Sequence, residues 1–180
     1  MSKWLLLDRD GVLNLDNPSY VHKVKDYQFV DGAIPALKRL TDAGFKIIII
    51  TNQSGIARGM YSKQNFQMLS KYITSELKKA GVAIRATYHC PHHPDITGDC
   101  DCRKPKPGMI LKAFRDLKIN LEKDEVWLIG DTDRDIEAAN NASLHIQTIK
   151  TKTQGREPDA SKIKPQAENL ADAINIILNA

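Results

Sequence analysis

"KWLLLDRDGVLN", residues 3–14, carries Trp4, Leu5, Leu6 and Leu7 straight into Asp8, Arg9 and Asp10. An apolar run without alternation suits a strand covered on both faces, as parallel strands between helix layers are. Two aspartates, one residue apart, then stand at the carboxyl end of that strand. Four more stretches read as strands: "FKIIIIT" (45–51), "ATYHC" (86–90), "EVWLIGD" (125–131) and "LHIQTI" (144–149). Helical spacing separates them. Ile34, Leu37 and Leu40 form one apolar face, with Pro35 tolerable in a first turn and Gly44 closing it. Phe66, Leu69, Ile73 and Leu77 form a second, ended by Gly81, and Ile110, Phe114 and Leu117 a third. Ala138 and Ala139 sit in a compact helix after Asp133. A last helix is expected near 167–178, after a polar surface loop, "KTKTQGREPDASKIKP" (150–165). This alternation predicts an α/β fold: a doubly wound, mostly parallel sheet, with residues 1–180 as a single domain.

Composition narrows the function classes. A hydrophobic content of 42% with 27% charged residues is that of a soluble globular chain. The longest apolar run, Ile47 to Ile50, is too short for a bilayer, and "MSKW" shows no secretory signal. We therefore expect a cytoplasmic protein without a membrane partner. The net charge is +4, but the basic residues are scattered in Lys23/Lys25, Lys78/Lys79, Arg103/Lys104/Lys106 and Lys150/Lys152. Spread this way, and with only 6% aromatics, they predict no nucleic-acid partner.

Two connections, 11 to about 32 and 90 to 107, are too long for plain turns. Both begin where a strand ends, the place where open α/β sheets bind ligands. Asp8 and Asp10 stand at one strand end, and Asp131, Asp133 and Asp135 at another. If those strands are neighbours, about five carboxylates share a crevice. Such crowding raises their pKa values or requires a counter-cation, and hard oxygen donors suit Mg²⁺. Acidic residues at strand ends also serve as helix N-caps, which Asp133 fits. "TNQSG" (51–55) adds a hydroxyl, amides and main-chain N–H groups, and "RKPKPG" (103–108) adds Arg103 and Lys104. Anionic floor, cation and donors together are what phosphoryl transfer needs.

In this order, DxDG at 8–11, Thr51, Lys104 and GDxxxD at 130–135 resemble the four motifs of the haloacid-dehalogenase (HAD) phosphohydrolases. The resemblance implies a Rossmann-like HAD fold in which Asp8 attacks phosphorus and Asp10 serves as general acid and base. Thr51 and Lys104 would neutralise the phosphoryl oxygens. Mg²⁺ would be held by Asp8, the Asp10 carbonyl and Asp131, with Asp135 in support. Strand alternation would send Asp8 and Asp10 to one side and Arg9 elsewhere, contributing mostly backbone.

"CPHHPDITGDCDC" holds Cys90, His92, Cys100 and Cys102. Three thiolates and one imidazole are the donor set of a closed structural Zn²⁺ site. A disulfide would leave an odd thiol, and His89 and His93 compete with His92 on spacing alone. The expected staple would hold Arg103 and Lys104, which follow Cys102 directly.

"LDRDGVLN", "YVHKVKDYQFVDGAI", "TNQSGIARGMYS" and "CPHHP" resemble the heptose bisphosphate phosphatase branch of that superfamily. We expect a monomer with no large cap domain, and the likeness implies hydrolysis of the 7-phosphate of a small-molecule sugar bisphosphate. It nominates Asp16, Asn17, Ser19, Tyr20, Asn52, Gln53, Ser54 and Arg103 as substrate contacts, Arg103 for the second phosphate. Pro18 lengthens the first loop by a residue, the zinc loop is short, and Thr132 stands where the branch often has Lys. The alternative within the class is a histidinol-phosphate phosphatase or another small sugar or nucleotide phosphomonoesterase. Outside it stand a receiver-type phosphoryl acceptor, which needs neither Asp10 nor a zinc loop, and a zinc-stabilised nucleic-acid module.

Overall fold

Leu5, Leu6 and Leu7 are wholly buried in the computed structural model, which describes residues 1–180. They lie in β1 (Lys3–Leu7), the middle strand of a five-stranded sheet. β2 (Phe45–Asn52) and β4 (Glu125–Gly130) flank it, and β3 (Ile84–Cys90) and β5 (Gln147–Lys150) form the edges. Every pairing is parallel, in the order β3-β2-β1-β4-β5. Leu7 stands opposite both Ile49 and Ile129, so the chain leaves three central strands side by side.

Alternation along the strands feeds two cores. Leu5, Leu7, Ile47, Ile49 and Ile129 join a cluster of 26 buried residues with α1 (Ala33–Asp42), α2 (Lys63–Lys79) and, near the carboxyl terminus, Leu170–Leu178. Leu6, Ile48, Ile50 and Leu128 face the other way, into a cluster of 15. Three helices lie between β3 and the last strand: the short α3 (Pro94–Thr97), then α4 (Gly108–Leu117) and α5 (Asp133–Ala142). The second core packs against α4 and α5, and Leu170–Leu178 is α6. Each buried leucine stabilises the fold by about 1.5–3 kcal/mol, and Leu6→Ala would cost about 2–5 kcal/mol. The strand order runs outward from β1 through β2 to β3 and then reverses to β4. The crevice at that reversal, between β1 and β4, is where such sheets bind ligands.

Local signals explain most boundaries. Gly44, at φ +88°, closes α1, and Ser62 with Asn65 forms a capping box that starts α2. Three boundaries shift from expectation, the first being β3, which begins two residues early at Ile84. β5 begins at Gln147, because Leu144 is 84% exposed and turned outward. α6 begins at Leu170, because the Asn169 side chain accepts the Asp172 N–H (3.0 Å) and fixes the first turn there. A 3₁₀ turn at Val24–Asp26 and the four-residue α3 were not foreseen. No helix is long and apolar enough to cross a membrane.

Candidate active site

Asp8 follows β1 directly, and its N–H donates to the Ile129 carbonyl (3.0 Å), so it leaves the sheet against β4. The strand stops at Leu7 and the chain then turns. The Arg9 carbonyl accepts the N–H groups of Leu13 (2.8 Å) and Asn14 (3.1 Å). Gly11 permits this turn, at φ +82° and with Asp131 so near that a Cβ would stand 2.5 Å from Oδ2. The turn, not strand alternation, brings Asp10 to the cavity beside Asp8.

The reading of Arg9 also needs correction. Its guanidinium folds back, buried, and donates to Asp10 from Nε (Oδ1, 3.0 Å) and Nη2 (2.8 Å to each oxygen), with Nη2 also on the Val21 carbonyl (3.1 Å). Gln53 Nε2 donates to Asp10 Oδ2 and to Thr51 Oγ1, 2.8 Å each. Tyr61 Oη donates to Gln53 Oε1 (2.6 Å), which fixes the amide's orientation. Asp10 is thus held from behind by a buried polar network.

Lys104, 4% exposed, reaches in from the loop before α4. Its Nζ donates to Asp8 Oδ1 (2.8 Å), the Ile50 carbonyl (3.0 Å) and Asp135 Oδ1. Burial disfavours the ammonium, but Asp135 and Asp8 outweigh it and hold the Lys104 pKa above its ordinary value. Asn52 clasps the Lys104 main chain, accepting its N–H (3.1 Å) and donating to its carbonyl (3.2 Å). The other Asp135 oxygen accepts from Thr132 N–H (3.0 Å) and Oγ1 (2.6 Å) at the start of α5. Both its oxygens are occupied.

Carboxylate oxygens of Asp8, Asp131 and Asp135 lie within 4.8 Å of one another. Asp131 Oδ2 is buried without any hydrogen-bond partner. Burial, then the charge of Asp135, pushes the Asp131 pKa up to about 7. The same two causes raise Asp8 well above the usual carboxylate range, against the pull of Lys104. An orphaned oxygen among crowded, hard anionic donors fits a divalent cation such as Mg²⁺.

Asp133 is not part of this floor, contrary to the five-carboxylate expectation, and Thr132 rather than Asp133 is the N-cap of α5. Asp133 turns away and accepts from Lys150 Nζ (2.5 Å), Ser161 Oγ (2.7 Å) and Lys162 N–H (2.7 Å). Lys150, foremost, holds its pKa well below the usual range.

A cavity of about 660 Å³ opens above the floor. Asp8, Asp10, Thr51, Lys104, Asp131 and Thr132 line its base, and Asp16, Asn17, Tyr20, Asn52, Ser54 and Arg103 its walls. Two nominated contacts are corrected. Ser19 is exposed, off the wall, and donates its N–H to Asn17 Oδ1 (2.8 Å), and Gln53 is buried behind the wall on Asp10. Sequence reasoning missed Arg58, His93, Arg134 and Arg156, which also line the cavity. Arg156 comes from the supposed surface loop, which instead straps the mouth: its guanidinium binds the Asp16 carboxylate, and Gly155 at φ +94° lets the strap touch the Asp16 backbone. A Gly-Arg pair after a strand ending at the ligand-binding edge was the available signal.

Sulfur and nitrogen donors gather beside the site. Cys102 Sγ lies 3.0 Å from Cys90 Sγ, 3.6 Å from Cys100 Sγ and 3.3 Å from His92 Nδ1. The Cys90–Cys100 (3.7 Å) and Cys102–Cys100 separations are near the ~3.8 Å edge of a tetrahedron with Zn–S bonds of about 2.3 Å, and the Cys102–Cys90 pair is tighter, so the set is compatible with zinc. All three cysteines are free. His89 stacks on Phe66, centroids 4.2 Å apart, and His93 meets Arg58, so neither joins the cluster.

Residues 6–155 match the family model described as polynucleotide kinase 3 phosphatase. The chain is 40% identical to the D-glycero-beta-D-manno-heptose-1,7-bisphosphate 7-phosphatase of Pasteurella multocida, over 97% of this chain and 94% of that one. It is 41% identical to the D-glycero-alpha-D-manno-heptose-1,7-bisphosphate 7-phosphatase of Photorhabdus laumondii, over 89% and 90% respectively. Among solved structures, the D,D-heptose 1,7-bisphosphate phosphatase from B. bronchiseptica, complexed with magnesium and phosphate, superposes with a TM-score of 0.85. That match has 31% identity and covers 98% of both chains.

Proposed function

The chain belongs to the heptose 1,7-bisphosphate 7-phosphatase family of HAD hydrolases, and we propose that it removes the 7-phosphate of D-glycero-D-manno-heptose 1,7-bisphosphate through a phosphorylated Asp8. The observation that carries this is the floor: Asp8 and Asp131 from neighbouring strands, with Lys104 on Asp8 at 2.8 Å. Asp8, the Asp10 carbonyl and Asp131 would hold Mg²⁺, with Asp135 in support, and the ion would supply charge stabilisation to the phosphoryl oxygens.

This chain's residues account for the remaining chemistry. The Asp8 carboxylate attacks phosphorus while Asp10 gives a proton to the departing sugar oxygen. Lys104 and Thr51 donate to the phosphoryl oxygens. Asp10, now a base, takes a proton from the water that attacks the aspartyl phosphate, and inorganic phosphate leaves with Asp8 restored. Arg9 and Gln53 keep Asp10 aimed throughout. Tyr20, Ser54, Asn17 and Thr132 surround the sugar, and Arg103 offers parallel donors to the second phosphate. Asp16 and Asn52 act chiefly by positioning, one on Arg156 and the other on Lys104.

Cys90, His92, Cys100 and Cys102 would bind Zn²⁺ and staple the loop that delivers Arg103 and Lys104. No coordination position would remain for water, so the role is mechanical. A clustered trio of free thiols suits a reducing compartment. In this reading residues 1–180 act as one domain without a large cap, a cytoplasmic monomer working on a small sugar bisphosphate. The test is phosphate release from both heptose 1,7-bisphosphate anomers, fructose 1,6-bisphosphate and histidinol phosphate, with and without Mg²⁺. Asp8→Asn should abolish release while leaving the melting curve intact. Wild-type turnover in that variant would remove Asp8 as nucleophile.

A further inference from the structure

The cavity mouth has two basic edges that differ in how their charge is balanced. On one, Arg134 and Arg156 share Asp159 (3.2 and 3.0 Å), and Arg156 also binds Asp16. Each of these guanidinium groups already faces a carboxylate. On the other edge, Arg58 Nη2 donates to His93 Nε2 (2.7 Å) and Arg103 Nη1 to the His92 carbonyl (3.3 Å). Neither partner there is a carboxylate. The carboxylate nearest the imidazole, Asp95, is 87% exposed and lies 3.7 Å from the ring's other nitrogen.

The main chain fixes this second edge. Ala57 N–H donates to the Pro91 carbonyl (3.2 Å) and Arg58 N–H to the Ser54 carbonyl (3.1 Å), so the turn after β2 is docked on the histidine pair. His93 N–H donates to Thr97 Oγ1 (3.0 Å) at the foot of α3, which anchors the pair in turn. Two guanidinium groups on the cavity wall therefore have no carboxylate partner of their own. Held on adjacent residues, His93 and His92, both offer donors to a dianion in the cavity. Thr132, uncharged and bonded to Asp135, offers no competing cation on the floor.

We propose that Arg58 and Arg103 together form the subsite for the substrate's second phosphoryl group, with the His93 ring holding Arg58 at the mouth. The assignment rests on the bisphosphate reading above and adds Arg58 as a binding residue and His93 as its positioning residue. It also sets the opposite edge aside, since the charges of Arg134 and Arg156 are already met.

The test compares wild type, Arg58→Met and Arg58→Lys on heptose 1,7-bisphosphate and on the corresponding 7-monophosphate, with Mg²⁺ present. Arg58 is exposed, so neither variant should change the melting midpoint. Arg58→Met should raise KM for the bisphosphate about 10- to 100-fold, the range for losing a charged hydrogen bond, with kcat nearly unchanged. Its kcat/KM on the monophosphate should stay at the wild-type value. Arg58→Lys should fall between, keeping charge but losing the parallel donors. In an Asp8→Asn background, calorimetric Kd for the bisphosphate should weaken by the same factor. If wild type prefers the bisphosphate but Arg58→Met loses both substrates equally, or neither, the subsite is wrong and the bisphosphate reading stands. A wild-type enzyme indifferent to the second phosphate would overturn both.

Discussion

In the proposed reaction Asp10 hands over a proton only if its carboxylate faces the leaving oxygen, and Arg9 is its chief anchor. Arg9→Met keeps most of the side-chain volume and removes the donors on both carboxylate oxygens. Gln53 and Asn14 still hold Asp10, so the fold should survive and the aim should loosen. A misaimed acid costs up to about a hundredfold in rate, so kcat should drop about 10- to 100-fold with KM little changed. Stopped-assay kinetics beside a circular-dichroism melt separate these effects; an unchanged kcat would remove Arg9 from the machinery. Asp8, Asp10, Thr51, Lys104 and Asp131 line one cavity: strand ends bring the aspartates and Thr51 there, whereas Lys104 arrives from the loop before α4. The sequence misplaced Arg9 and Asp133 because their directions depend on distant partners. Arg9 folds back onto Asp10 and the Val21 carbonyl, and Asp133 is captured by Lys150 from another strand. Periodicity carries neither fact.

Two loops finish the site, and each has its own anchor. The 150–165 strap is tied down where Asp133 accepts from Lys150, Ser161 and Lys162. Asp133→Ala removes that tie, so trypsin should cut after Lys152, Arg156 and Lys162 faster than in wild type. KM should rise as Arg156 and Asp16 lose their register. Equal cleavage rates would show the strap is held elsewhere. In the 90–107 loop, the four donors precede Arg103 and Lys104, while Asn52 grips the Lys104 main chain independently. Elemental analysis should find about one zinc per chain, and chelation followed by Mg²⁺ addition should leave turnover strongly reduced. Full turnover after stripping would mean that Asn52 alone keeps Lys104 in place. Strands and long helices were legible because burial stamps a period on them. The strap was not, because a segment fastened by ion pairs has the composition of a solvated loop.

Over the whole molecule the net charge of +4 is unevenly arranged, with carboxylates at the cavity floor and cations around its mouth. The mouth attracts an anionic substrate, while the floor destabilises the metal-free fold. Asp131 has an ordinary pKa of about 4 when unfolded and about 7 when folded. The folded chain therefore binds the extra proton between those values. Its contribution to stability is complete below about pH 4 and is lost as the pH rises through 7. Asp8, also raised, acts in the same direction. Asp133, depressed, acts oppositely but only below the ordinary carboxylate range, so it is constant at neutral pH. Metal-free protein should then melt at a lower temperature at pH 8 than at pH 6. Mg²⁺ needs the ionised carboxylates, so the shift it produces should grow over the same interval. At a hundredfold excess over Kd that shift is worth about 2.7 kcal/mol, or roughly 5–10 °C for a domain of this size. Asp131→Asn isolates the effect from histidine titration, since it should flatten the metal-free slope and abolish the Mg²⁺ shift together. A variant that still gains stability from Mg²⁺ would place the ion away from the β1–β4 crevice.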